Sequence, residues 1–292
     1  MQIERPSGKG AGDENFPVAS RLLAPRVRPH VMAFYAFART IDDIADDPSL
    51  TAEEKRARLD RMAAGLEAGN DDRAAETAHR LRASLATTGV NRRHALDLVD
   101  AFRQDTRQPR YRDWADLMAY CDRSAAPVGR YLLALHDEDD GLQAASDALC
   151  CALQVINHLQ DCGEDYRRLD RVYIPEPWIV GAGGSVRDLA QRRSTPGVRA
   201  AIDRCLDGVD ALLGCSAALA PALISKRLAF EAAAIQRIAE VLSRCLRARD
   251  PLAERVVLAR PGVAGAAAVG ILRMLWRRRP RASAGARRAA RS

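Results

Sequence analysis

Between Val27 and Ala45, apolar residues recur with helical period through "VRPHVMAFYAFARTIDDIA". The pattern then runs into Asp42, Asp43, Asp46 and Asp47, four aspartates within six positions, before Pro48 stops it. That is the unfavourable end of a helix for negative charge, because the macrodipole is negative there too. Two unit charges about 6 Å apart repel by roughly 3 kcal/mol at an effective dielectric near 20. A fold that keeps this helix must supply something to offset the repulsion.

The same problem returns in "CALQVINHLQDCGEDYRRLDR", residues 151–171, where Asn157, Asp161 and Asp165 stand at i, i+4 and i+8 with Glu164 on the same face. Each motif alone also fits a bland account. "DDIADD" suits a solvated helix end, and the second motif suits a helix laced with ion pairs to Arg167, Arg168 and Arg171. Both together, each interrupting an apolar helix face, point to two acidic stripes opposed across a helical bundle. Hard divalent ions such as Mg²⁺, which accept carboxylate and phosphate oxygens, would reconcile them and make a cradle for a diphosphate.

Composition supports an all-α chain, with 48% hydrophobic and only 5% aromatic residues. Further amphipathic segments fall near 51–68, 72–87, 91–106 and 112–136, and after a Pro- and Gly-punctuated loop at 173–184 near 196–219, 226–248 and 252–276. Without a repeat or linker, the expectation is one helical domain over 14–276, a flexible lead-in over 1–13 and a basic tail over 277–292. The formal charge of +7 is local: residues 271–292 hold eight Arg and no acid, so the rest of the chain, 7 less 8, carries −1. With no basic, aromatic-interleaved patch elsewhere, nucleic acid is not an expected partner. "VAGAAAVGILRMLW" (263–276) is too short to span a bilayer. It fits either a packed last helix with a solubilising tail or a helix end resting on an anionic membrane surface. Seven cysteines without CxxC spacing read as reduced thiols, and the N-terminus lacks an apolar signal region, so a cytoplasmic protein is expected. His30, His79, His94 and His136 have no ligand spacing, which disfavours zinc, and His158 points about 100° away from Asn157 and is expected to be structural or peripheral.

"RTIDDIADD" followed far downstream by "NHLQDCGEDYRRLDRVYIP" resembles the squalene/phytoene synthase family, from about Asn15 to Arg260. The resemblance implies a single-domain, isoprenoid-synthase-like helical bundle around a central apolar cavity. It implies metal ligation by Asp42, Asp43, Asp46, Asn157, Asp161 and Asp165, with two or three Mg²⁺ when diphosphate is bound. Asp42, Asp46, Asp161, Asp165 and Tyr120 are the implied catalytic residues. Asn15, Phe16, Tyr35, Arg39, Gln154, Arg171 and Arg260 are the implied substrate or diphosphate contacts. Leu132, Leu133, Leu149, Leu153 and Ile156 are plausible cavity walls, and Gly129 marks close helix packing. The opening "ENFPVAS" departs from the Ser-Phe usual in phytoene and dehydrosqualene synthases, and Ile238 stands where the family often has a phosphate-contacting tyrosine. The form is most similar to the branch that converts presqualene diphosphate to hydroxysqualene with a water quench and no NADPH. Two alternatives stay open: head-to-head condensation of two prenyl diphosphates, and a non-catalytic lipid-binding or assembly module.

Overall fold

The computed structural model describes Glu4, residues 22–67, Asp72, residues 74–107 and residues 110–277. Asn15, Phe16, most of the expected lead-in and the tail beyond Arg277 lie outside the described residues. Among the described residues the regular structure is helical: α1 (Arg28–Asp46), α2 (Ala52–Gly65), α3 (Glu76–Thr88), α4 (Arg93–Asp105), α5 (Trp114–Ser124), α6 (Ala126–Leu135), α7 (Gln143–Leu169), α8 (Glu176–Gly181), α9 (Pro196–Ser216), α10 (Leu219–Ala222), α11 (Lys226–Ala248) and α12 (Arg260–Arg277), with two short 3-10 turns.

Local chemistry sets most boundaries. Thr51 and Glu54 form a reciprocal capping box at the start of α2. The side chains of Asp113, Thr195 and Ser225 accept backbone N–H bonds at the starts of α5, α9 and α11. Three expectations need correction. The segment 112–136 is two helices, not one, broken at Ala125 because Pro127 in the next turn has no N–H to continue the ladder. The loop 173–184 contains α8, which Pro177 in its first turn tolerates. The last helix starts at Arg260 rather than 252, since residues 251–254 form turns and 255–259 take no regular structure.

The core has two parts. Phe34, Phe37, Ile41, Leu59, Leu81 and Leu98 join α1 to α2, α3 and α4, while a larger cluster joins α5–α7 to α9, α11 and α12. The stretch Pro196–Ala222 is long and apolar enough to cross a membrane, yet Ile202, Cys205, Leu206 and Val209 bury one face of α9 in this core. α7 packs against α5, α6, α9 and α11, and α1 against α2, α3 and α4, but α1 and α7 are not among the helix pairs in extensive contact. A cavity of about 1150 Å³ stands between them. Gly129 allows α6 to lie close to α7: a Cβ there would sit 2.3 Å from Ser146 Oγ and 2.8 Å from Cys150 Sγ.

Candidate active site

Both walls of the cavity follow the same gradient. On α1 the lining residues run Val31, Phe34, Tyr35 and Ala38, then Arg39, Asp42 and Asp46; on α7 they run Leu149, Leu153 and Gln154, then Asn157, Asp161 and Asp165. At 1.5 Å per residue each gradient spans roughly 20 Å, from greasy to acidic. The four-residue steps that stack the carboxylates on one helix face also continue the apolar stripe behind them. The two acidic ends meet: Asp46 is close enough to Asp165 to raise its pKa.

The charge is offset differently on the two helices. Arg39 reaches Asp42 at 2.8 Å and Asp43 at 2.5 Å. Asp46 Oδ1 accepts from Arg171 Nη1 at 2.8 Å. Arginine therefore balances much of the charge of the first motif. Burial, then Asp46, still pushes Asp42 well above the usual carboxylate range. On α7, Asp165 is raised to about 8 by burial, then by Asp161 and Asp46.

Arg171 arrives at Asp46 by a tight reversal. Asp170 caps α7 in the left-handed region (φ 49°) and the Arg171 N–H bonds the Asp165 carbonyl, turning the chain back on itself. The next residues are fixed by the Arg110–Val172 bridge and by the bond from Glu176 N–H to the Tyr111 carbonyl. This pairing sets Arg171 and Tyr173 beside the end of α4. There the buried Asp105 accepts from the Tyr120 hydroxyl at 2.6 Å and the Tyr173 hydroxyl at 3.3 Å, and lies 3.9 Å from Arg171. Burial raises Asp105 to about 6. His158 stacks on Tyr173 with ring centroids 3.4 Å apart, and burial, then Arg171, lowers its imidazole to about 3. It belongs to the cavity wall and is not peripheral.

The structure brings Tyr35, Arg39, Asp42, Asp46, Tyr120, Gln154, Asn157, Asp161, Asp165 and Arg171 to one cavity. Asp43 turns to Arg39 and is not part of the lining. Arg260 does not reach the cavity: it is exposed at the start of α12, while Arg255 in the preceding turn does line it. Ile156 is buried in the core between α7 and its neighbours instead of facing the cavity, whereas Leu132, Leu133, Leu149 and Leu153 do face it. Asp105 and Tyr173 escaped the sequence reading. The available signal was Asp105 itself, an acid continuing the apolar face of Leu98, Ala101 and Phe102.

The donor set at the acidic end is all oxygen, which suits Mg²⁺ and not zinc. Burial, then neighbouring carboxylates, raises the pKa of Asp42 and Asp165, so a cation brought beside them would favour their charged forms. Among the described residues no three His, Cys, Asp or Glu side chains form a metal-binding group by themselves.

The squalene/phytoene synthase model matches residues 10–261. The chain is 45% identical over 252 residues to a hydroxysqualene synthase of Zymomonas mobilis, covering 86% of this chain and 84% of that one. It is 46% identical over 256 residues to a hydroxysqualene synthase of Rhodopseudomonas palustris, covering 86% of each. Among solved structures, a squalene synthase from Alicyclobacillus acidocaldarius matches with TM-score 0.70 and 32% identity over 79% of this chain and 87% of that one. From its helical frame, its cavity and these matches, the chain belongs to the squalene/phytoene synthase family.

Proposed function

We propose that this protein ionises presqualene diphosphate, lets the cyclopropylcarbinyl cation rearrange, and captures it with water to release hydroxysqualene and diphosphate. One observation carries the reading: an acidic end shared by two helices and an apolar end belong to one cavity of about 1150 Å³. The similarity to hydroxysqualene synthases chooses this reaction among those of the family.

Asp42, Asp46, Asn157, Asp161 and Asp165 would hold Mg²⁺, two or three ions with diphosphate present. When bound, the ions supply Lewis-acid neutralisation of charge growing on the leaving oxygen. Arg39 and Arg171 bind phosphate oxygens, with guanidinium groups whose charge is fixed at any working pH. Leu132, Leu149, Leu153 and Tyr131 hold the hydrocarbon and exclude bulk water, so the cation survives long enough to rearrange. Ser124 Oγ and His158 Nε2, buried without hydrogen-bond partners in residues of the cavity lining, are available to hold the quenching water. Water capture requires no NADPH.

The seven unpaired cysteines suit a reducing cytoplasm. Contact with the inner face of an anionic membrane would use the exposed Leu272, Leu275 and Trp276 of α12 and the arginines that follow. The test of function is product analysis by mass spectrometry with presqualene diphosphate and Mg²⁺, with and without NADPH. Hydroxysqualene in both arms is expected. Squalene formed only with NADPH, or a C30 product from farnesyl diphosphate alone, would overturn the assignment.

A further inference from the structure

Where the cavity can hold water is decided by which polar groups of its wall are still unpaired. An apolar stretch such as Leu132, Leu149 and Leu153 stays dry, because an enclosed water needs about two to four polar partners. Several polar side chains of the lining are committed elsewhere. The Tyr120 hydroxyl donates to Asp105 at 2.6 Å, the Tyr131 hydroxyl to the His30 carbonyl at 3.0 Å, and the Gln160 amide to the Val256 carbonyl. Ser124 and His158, at 9% and 8% exposure, are different: both line the cavity, and neither Ser124 Oγ nor His158 Nε2 has a hydrogen-bond partner among the described residues. They come from facing helices. Ser124 stands one turn beyond Tyr120 on α5, and the Tyr120 ring lies 5.9 Å from the His158 ring on α7. Gln154, one turn before His158, adds its amide to the same stretch of lining. On its other side His158 adjoins Asn157 and stacks on Tyr173, whose hydroxyl accepts from Arg171 at 3.2 Å, so this belt borders the acidic end. A buried hydroxyl and imidazole nitrogen are costly to leave unpaired unless water serves them.

We infer that Ser124 and His158 are the positioning residues that decide how the reaction ends: with Gln154 beside them they keep a water at the boundary of the acidic and apolar ends, so that the rearranged cation finishes as an alcohol and not as a hydrocarbon. The inference rests on the presqualene diphosphate reading above. In the capture step a lone pair of the water oxygen forms the new C–O bond, one O–H bond breaks, and the proton passes to an oxygen of the diphosphate released by ionisation. Without that water the same cation sheds a proton from a neighbouring carbon to the diphosphate, leaving one more C=C double bond. Nothing is oxidised or reduced in either course. Order matters as much as presence. A fixed water, its hydrogens given to Ser124 Oγ and the imidazole, turns a lone pair to the cavity, whereas mobile water would attack before the rearrangement is complete.

Product analysis of presqualene diphosphate turnover by the full chain tests this, in the unsubstituted protein, Ser124→Ala, Ser124→Thr and His158→Phe. The readout is the ratio of hydroxysqualene to C30 hydrocarbon, which a loss of folded protein or of substrate affinity does not move. Ser124→Ala should lower the ratio about 5- to 10-fold, the worth of one hydrogen bond to the water, and Ser124→Thr, which keeps the hydroxyl, should restore it to within about 2-fold. His158→Phe keeps a ring to stack on Tyr173 but has no nitrogen, and should lower the ratio at least as far. A crystal structure of the unsubstituted protein gives a second reading that needs neither variant nor turnover: an ordered water within about 3.2 Å of Ser124 Oγ or His158 Nε2 is expected. A dry belt, or ratios unchanged in both Ser124→Ala and His158→Phe, would overturn the inference. The two claims fail separately: hydroxysqualene with unchanged ratios sinks the water site alone, and a product other than hydroxysqualene from the unsubstituted protein sinks the reaction on which it rests.

Discussion

The two acidic motifs look alike as sequence and meet the same electrostatic problem with different partners. On α1, Arg39 and Arg171 sit against Asp42, Asp43 and Asp46, so fixed positive charge meets much of the negative charge, although burial and Asp46 still hold Asp42 above the usual carboxylate range. On α7, Asp165 has no ion pair among the described residues, and burial, then Asp161 and Asp46, raise its pKa to about 8, so that it holds a proton at pH 7. A carboxylate that can borrow either a guanidinium or a proton is one that can later surrender it to a metal ion. The contrast also explains how a helix can end in aspartates without a basic residue in its last turn: the compensating Arg171 comes from a segment 125 residues away.

Removing either motif should cost the most. Asp42→Asn and Asp161→Asn are each expected to lower kcat/KM for presqualene diphosphate by about 10³-fold or more, since each withdraws charge from the leaving diphosphate in the transition state. Stability should then separate the motifs. In metal-free protein at pH 7, Asp46→Asn takes the nearer of the two carboxylates from the buried Arg171, leaving Asp105 at 3.9 Å, and should destabilise by roughly 1–3 kcal/mol. Asp165→Asn relieves the fold of a carboxyl that ionises in the unfolded chain but not in the native one, and should stabilise by roughly 1–2 kcal/mol. Urea denaturation of both variants in EDTA reads this directly; shifts of the same sign would break the contrast.

A third expectation concerns pH. Asp105 is raised to about 6 in the fold against about 3.9 in an unfolded chain. Between those values the native state holds a proton that the unfolded state has lost, so its contribution is fully present below about pH 4 and disappears as pH rises through about 6. From pH 4.5 to 7, metal-free protein should therefore lose roughly 2 kcal/mol relative to Asp105→Asn. A constant difference across that range would show that Asp105 is ionised throughout. The smallest effects belong to the rim. Arg255→Ala should raise KM several-fold, as a cationic group in the lining is lost, whereas Arg260→Ala should change it by less than about 2-fold.

How far the sequence carries depends on the range of the interaction concerned. The periodicity of α1 and α7 and the four-residue spacing of Asp42/Asp46 and Asn157/Asp161/Asp165 are local properties, and they place the acidic stripes and the greasy wall correctly. The break at Ala125 was also local, written in Pro127, but the apolar period running through 112–136 masked it. The partners of these stripes were not legible. That Arg171 would seek Asp46 depends on the left-handed cap at Asp170 and on the bridge between Arg110 and Val172, and neither leaves a pattern in a single sequence. The resemblance implies Arg260 as a substrate contact, but the segment before α12 presents Arg255 to the cavity instead.

The central claim is that both motifs grip one shared cation and diphosphate cluster. Mn²⁺ binding in the presence of pyrophosphate, followed by electron paramagnetic resonance in the unsubstituted protein, Asp42→Asn, Asp161→Asn and the double variant, tests it most directly. A shared cluster predicts that the double variant loses little more affinity than the worse single one. Losses that simply add, with each helix keeping its own independent Mn²⁺, would contradict it.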